Sequence, residues 1–303
     1  MLLIEQLLNG LQYSALLFLL ASGLTLVFGI MGVINLAHGA FYMVGAFCAA
    51  YTAMATGSFW LGGLASLVGA ALYGLLVETA IMRRLYSRDH MDQVLATLAV
   101  VFFSNELLTL IFGRSPPSMA TPAWYGSFVQ VLPGLMYPVS RLMFIAAGAV
   151  VALGMWLLIN HTRVGMLIRA GADDHQMVSA LGVNIARLYT WVFVFGCVLC
   201  GLAGFMAAPL LSVEIGMGEK VLITTFVVIV VGGVGSVRGA LAGALLIGMV
   251  DSLGRAYLPP LLDELLDGET SGTLSAALIS ASAYIVMALV LLFRPRGLLP
   301  ARA

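Results

Sequence analysis

The chain has 303 residues, of which 61% are hydrophobic and only 9% charged, and its 14 basic and 14 acidic side chains give zero formal net charge. A soluble domain carries about a quarter charged residues, so this chain cannot cover itself for water, and a multi-pass membrane protein is expected. Zero net charge with Lys220 as the only lysine also excludes a nucleic-acid partner.

The opening, MLLIEQLLNG, has no basic n-region and carries Glu5, so no cleaved signal peptide is expected. A span needs about 20 apolar residues. Runs and breaks place spans near 9–30, 39–56, 59–82, 93–112, 140–159, 187–208, 220–234, 239–257 and 274–293. The fold class predicted is all-α: a polytopic transmembrane helical bundle of about eight to ten crossings, with broken helices where glycine interrupts the apolar runs.

The first interruption is the most informative. Within Gly29–Ala50, Asn35 and His38 sit in an apolar stretch with Gly32, Gly39 and Gly45 around them. Polar, helix-weakening sequence at membrane depth persists only where protein packs over it or where it lines a cavity. The segment therefore points to a passage, although a membrane histidine also serves as a hydrogen bond between helices.

Further along, Glu78 lies beside Arg83 at a span end, where pairing explains it. Glu106 follows Ser104 and Asn105 well inside a span; an ionised carboxylate there must find a partner or take up a proton. Three clusters of arginine stand out: Arg83, Arg84 and Arg88; Arg163, Arg169 and Arg187; Arg294, Arg296 and Arg302. If these face the cytoplasm, residues 113–139 and the acidic loop DELLDGET lie outside. Segment 113–139 holds Pro116, Pro117, Pro122, Pro133 and Pro138, which excludes a long helix, and Trp124 and Tyr125 suit the membrane boundary.

The polar stretch NHTRVGMLIRAGADDHQMVSALGVNIARLYTW, residues 160–191 with the loop proper at 160–187, is too long for a turn and too polar to span. Asp173 and Asp174 are helix-opening residues. Met177, Ala180 and Leu181 follow at helical spacing, and Gly182 is a natural terminator. The expectation is a short amphipathic helix on the cytoplasmic face, lying flat in the headgroups or projecting as a knob toward a soluble partner.

Cys197 and Cys200 form a C-x-x-C inside an apolar run with no second ligand pair, so a core role is expected rather than a metal or redox one. Residues 232–240, GGVGSVRGA, echo 32–40, GVINLAHGA, at Gly32/Gly232, Gly39/Gly239 and Ala40/Ala240. The echo outlines a repeat within a single domain of residues 1–303: first copy about 9–112, second about 187–293. Paired broken helices build many transport sites. Gly235, Gly239 and Gly243 recur every four residues, stacking small side chains so that a neighbouring backbone can approach; static packing and sliding between states both fit. Asp251 and Arg255 have the spacing of an intrahelical ion pair.

Enzyme motifs are absent. There is no H-E-x-x-H, Asp173-Asp174 lacks a second acidic cluster, and Lys220 precedes valine, so no phosphate-binding loop exists. No cofactor or metal is expected on this chain, and any ATP-hydrolysing engine must be another polypeptide.

INLAHGAFYMVGAF, GGVGSVRGALAGALLIG and TRVGMLIRAGADDHQMVSALGVN, in that order, resemble the high-affinity branched-chain amino acid ABC permease family (LivH), and the similarity runs over essentially the whole chain. The resemblance implies a bacterial inner-membrane importer of branched-chain amino acids or related small polar solutes. It further implies a second homologous permease, two cytoplasmic ATPases that carry ATP and Mg, and a periplasmic substrate-binding protein. Arg169, Ala170, Asp173, Met177, Ala180, Leu181 and Gly182 would then form the coupling loop gripped by an ATPase, together with the adjoining Asp174. Gly32, Asn35, His38, Gly39, Glu106, Gly232, Gly235 and Gly239 are the candidates for the translocation path. AGADDHQM departs from the many relatives that carry a basic residue and a glutamate there. An ion-coupled carrier of small amino acids or amides, with Glu106 or His38 as its ion site, is the alternative reading.

Overall fold

The computed structural model describes residues 2–300 except 87, 118, 174 and 265; the side chains of 173, 175, 176 and 269 also lie outside the description. Along the chain run α1 (Leu2–Met31), α2 (His38–Thr56) and α3 (Phe59–Val77), the last extended by a π-helical turn (Glu78–Met82) and α4 (Arg83–Leu85). Then come α5 (His90–Phe112), β1 (Phe128–Leu132), β2 (Leu135–Pro138), α6 (Val139–His161), α7 (Arg163–Asp173) and α8 (His175–Ala180). The chain closes with α9 (Ile185–Ala207), α10 (Met217–Gly232), α11 (Val237–Asp263) and α12 (Gly268–Phe293). Each of the nine expected spans is a helix, and eight helices among the described residues are long and apolar enough to cross a membrane. The exception is α10, with 16 residues. At about 1.5 Å per residue it falls short of a hydrocarbon core of about 30 Å.

Segment 113–139 has no long helix, as its prolines predict, and carries both strands. VQVL and LMYP pair as an antiparallel hairpin across Pro133 and Gly134, with Val129 opposite Tyr137 and Gly134 at φ 86° supplying the turn. Its Tyr125 hydroxyl is buried, and that desolvation pushes its pKa well above the usual phenol value.

The contacts divide the chain into two units, residues 2–21, 123–150 and 224–300 in the first and 22–122 with 151–223 in the second. The second is built on α2, α3 and α9, which pack backbone to backbone. A Cβ placed on Gly45 would stand 2.6 Å from Gly201 Cα, and the Ser66 hydroxyl donates to the Gly201 carbonyl at 2.7 Å. Small residues on three neighbouring helices explain this closeness, which dispersion and interhelical hydrogen bonds then reward. Tyr51 of α2 stacks on Phe112 of α5 at 4.3 Å and donates its hydroxyl to the Phe112 carbonyl at 2.6 Å. At the π-helical turn the fully buried Glu78 accepts from Arg83 at 3.2 Å and from the Tyr86 hydroxyl at 3.1 Å. Arg83 also donates to Thr190 of α9 at 3.0 Å. Burial, with the Glu78 charge adding to it, pushes the Tyr86 hydroxyl pKa far up.

In the first unit α11 and α12 pair, and the Asp251–Arg255 bridge forms within α11 at 2.8 Å, as its spacing predicts. Asn9 of α1 accepts hydrogen bonds from the Tyr137 hydroxyl and from the Arg141 guanidinium, tying the start of α1 to the hairpin and the start of α6.

Candidate functional site

The first glycine break is a compact non-helical link from Met31 to His38. Gly32 ends α1 at φ 63°, its N–H still bonded to the Phe28 carbonyl at 2.9 Å. Asn35 then folds back: its side-chain oxygen accepts the Ala37 N–H at 3.0 Å, a local turn that starts α2. Asn35 is 0% and His38 1% exposed. His38 Nε2 lies 3.0 Å from Cys200 Sγ of α9, and Gly39 is pressed against the Gly218 carbonyl, where no side chain fits. Asn35 and His38 are thus sealed by protein on every side, the first of the two environments in which such residues survive in lipid. The Asn35 Nδ2 donor is buried without a partner among the described residues. Cys197 and Cys200 are both buried and unbridged, in keeping with their core reading.

The second break, 233–236, also joins two helices. Gly233 and Gly235 take positive φ, Ser236 caps α11 by accepting the Gly239 N–H at 3.1 Å, and Gly232 meets Gly239 backbone to backbone. The C-terminal segment closes over it, with the Leu298 and Leu299 N–H groups bonded to Val231 and Gly232 at 2.9 Å. Gly32, Asn35, His38, Gly39 and Glu106 belong to the second unit; Gly232, Gly235 and Gly239 belong to the first.

Glu106 is exposed on α5, on a face it shares with Phe102, Phe103 and Leu110, themselves 58%, 60% and 84% exposed. Its neighbour Asn105 turns inward and donates to Glu219 Oε1 at 2.6 Å, joining α5 to the first turn of α10. Glu219 escaped sequence reading because a lone acid beside Lys220 looks like solvated surface. The only signal was its position, in the first turn of an apolar run.

The polar loop 162–184 folds as two helices: α8, beginning at His175, is the short helix expected after the aspartates, whereas α7 before it was not expected. Helix α7 is already running from Arg163: the Thr162 hydroxyl accepts the Gly165 N–H at 3.0 Å, and Ile168 turns inward, 6% exposed. Asp173 is its last residue, and Asp174 lies outside the described residues. Arg169 donates to the Ile159 carbonyl at the end of α6, and Ala170 is half-buried. In α8, Val178 points in while Met177 and Ala180 are exposed, Met177 at 60%, and Leu181 just after the helix is 77% exposed. Gly182, at φ 87°, ends α8 as expected. The Val183 N–H reaches back to the Val178 carbonyl at 3.4 Å and the Gly182 N–H to Ser179 at 3.0 Å. Asn184 then caps α9 through the Arg187 N–H at 3.0 Å. The product is a folded two-helix element with exposed apolar side chains at Met177 and Leu181.

Eight membrane-length helices, two glycine-rich links inside them and a structured polar loop define a polytopic α-helical membrane protein of the transport-permease class. Residues 6–293 match the family model described as branched-chain amino acid transport system / permease component, and the chain belongs to that family. It is 27% identical to the high-affinity branched-chain amino acid transport system permease protein LivH of Salmonella typhimurium over 84% of this chain and 87% of that one. With BraD, the corresponding permease protein of Pseudomonas aeruginosa, identity is 27% over 98% of this chain and 95% of that one. Among solved structures, PsaBC from Streptococcus pneumoniae in complex with Fab aligns over 95% of this chain and 91% of that one, at TM-score 0.50 and 14% identity. That likeness concerns the fold alone.

Proposed function

We propose that the chain is one permease of an ATP-driven importer for branched-chain amino acids or related small polar solutes, resident in a bacterial inner membrane. A second homologous permease completes the route. Two cytoplasmic ATPases hold ATP and Mg, and a periplasmic binding protein delivers the substrate. The observation that carries this reading is the 162–184 loop: a capped, packed element that exposes two large apolar side chains, Met177 and Leu181. Exposed apolar side chains on a polar loop are what a protein cleft accepts and what water disfavours. Arg169, Ala170, Asp173, Asp174, Ala180 and Gly182 complete the coupling surface.

In this reading ATP-driven closure of the ATPases moves the knob, and the motion travels through α7 and α9. Glu106 stands on the wall of the route, where a neighbouring permease or water in the passage solvates its carboxylate. The tightly packed glycine contacts at Gly39, Gly232 and Gly239 are the smooth surfaces along which the helices shift, with Gly32, Asn35, His38 and Gly235 as their links. Affinity for the cargo resides in the binding protein.

The test is Leu181→Asp and Gly182→Pro in the reconstituted complex. Proline's fixed φ of about −65° cannot take the conformation of Gly182. Both variants are expected to abolish substrate-stimulated ATP hydrolysis and uptake while the permease stays folded. Unchanged uptake and unchanged ATPase stimulation would exclude the coupling role.

A further inference from the structure

We propose that the base of the second unit holds an anionic phospholipid, its acyl chain in a slot between α6, α7 and α9 and its phosphate on Arg187. The slot has a volume of about 410 Å³ and lies among Leu26, Leu158, Leu167 and Phe195, with Arg187 on its lining. That is ample for a ligand tail, since pockets for small ligands start near 300 Å³. Its walls are almost wholly hydrocarbon, so ordered water has too few partners to fill it.

The charge decides the occupant. Arg169 is engaged by the Ile159 carbonyl and Arg83 by Glu78 and Thr190. Arg187 is exposed and has no acidic partner among the described residues. An exposed arginine on the lining of an apolar slot, with no acidic partner among the described residues, complements a molecule with an anionic head and an apolar tail. Trp191, 73% exposed and also on the lining, is the residue type that settles at headgroup level. Basic pockets between helices on the cytoplasmic side hold such headgroups. The leaflet assignment rests on the proposed cytoplasmic position of the loop, but binding itself requires neither ATPase nor substrate. A bound tail would wedge α7 against α9, bracing the knob from behind.

Native mass spectrometry of the full chain, titrated with phosphatidylglycerol or phosphatidylcholine, tests this. The wild type is expected to retain a single phosphatidylglycerol. Arg187→Gln, which leaves the slot intact, should weaken that binding about fivefold, and Leu167→Trp, which fills the slot, should abolish it. Arg88→Gln, in another basic cluster, should leave binding unchanged. Equal retention of phosphatidylcholine, wild-type affinity in Arg187→Gln, or an equal loss in Arg88→Gln would overturn the site. So would a photoreactive group at Val164 that crosslinks to polypeptide instead of lipid in the assembled transporter.

Discussion

Replacing Gly45 by alanine tests whether the α2–α3–α9 contact is as close as described. The new Cβ would meet Gly201 Cα at 2.6 Å and Ser66 Oγ at 2.9 Å. Gly201 is backbone and cannot swing aside, so the helices must part. Overpacking of this kind costs about 1–3 kcal/mol. Weakening the Ser66–Gly201 hydrogen bond adds about 0.6 kcal/mol, and alanine's better helix propensity returns about 1 kcal/mol. The net loss is roughly 0.6–2.6 kcal/mol. Gly154 on α6 supplies the control, because a Cβ there meets nothing within 4 Å; Gly154→Ala should stabilise by up to about 1 kcal/mol. Cys197 and Cys200 are 1% and 0% exposed, so a thiol-reactive fluorophore reports opening of this packing on heating. The midpoint should fall for Gly45→Ala and hold or rise for Gly154→Ala. If the two variants shift together, the close approach is not what makes Gly45 glycine.

Arg83→Ala leaves Glu78, 0% exposed, without its cation and should cost about 1–3 kcal/mol, below the range for a fully buried pair because Arg83 is half-exposed. Arg83→Ala/Glu78→Gln should recover part of that loss in the same melting assay, and a double variant no better than the single one would show that the charge is not the cause. At the first break, Cys200→Ser keeps a group able to bond His38, whereas Cys200→Val does not. The valine variant should be less stable than the serine one by about 0.6 kcal/mol, and equal melting would remove the pair from the account.

The spans were legible because hydrocarbon demands long apolar runs and internally bonded backbone. Asp251–Arg255 and the Gly182 stop were readable for a similar reason: each depends on spacing within one helix. The hairpin was not read, since proline density hid the VQVL alternation flanking Pro133-Gly134. Helix α7 was not read because Thr162 at its start carries a weaker capping signal than the two aspartates that precede α8 in the sequence. His38 with Cys200, and Asn105 with Glu219, lie 162 and 114 residues apart. No local pattern announces such partners.

Burial was the least legible property, and membrane physics explains why. In water, apolar periodicity marks the face turned inward; in lipid the outward face is apolar too. The most apolar window of α12 is 0% buried and that of α1 is 83% buried, although both read as ordinary spans. Small residues mark two of the interior helices, α2 and α9, which bring Gly45 and Gly201 together, but α1 is interior with Leu17, Phe18, Leu19 and Leu20 buried, whereas α12 presents Ile285, Leu289, Leu292 and Phe293 outward. By the same logic a polar residue in such a chain is informative only once its side is known. His38 faces inward and finds Cys200, so packing accounts for it. Glu106 faces outward on α5 beside the exposed Phe102, Phe103 and Leu110, so packing within the chain does not account for it.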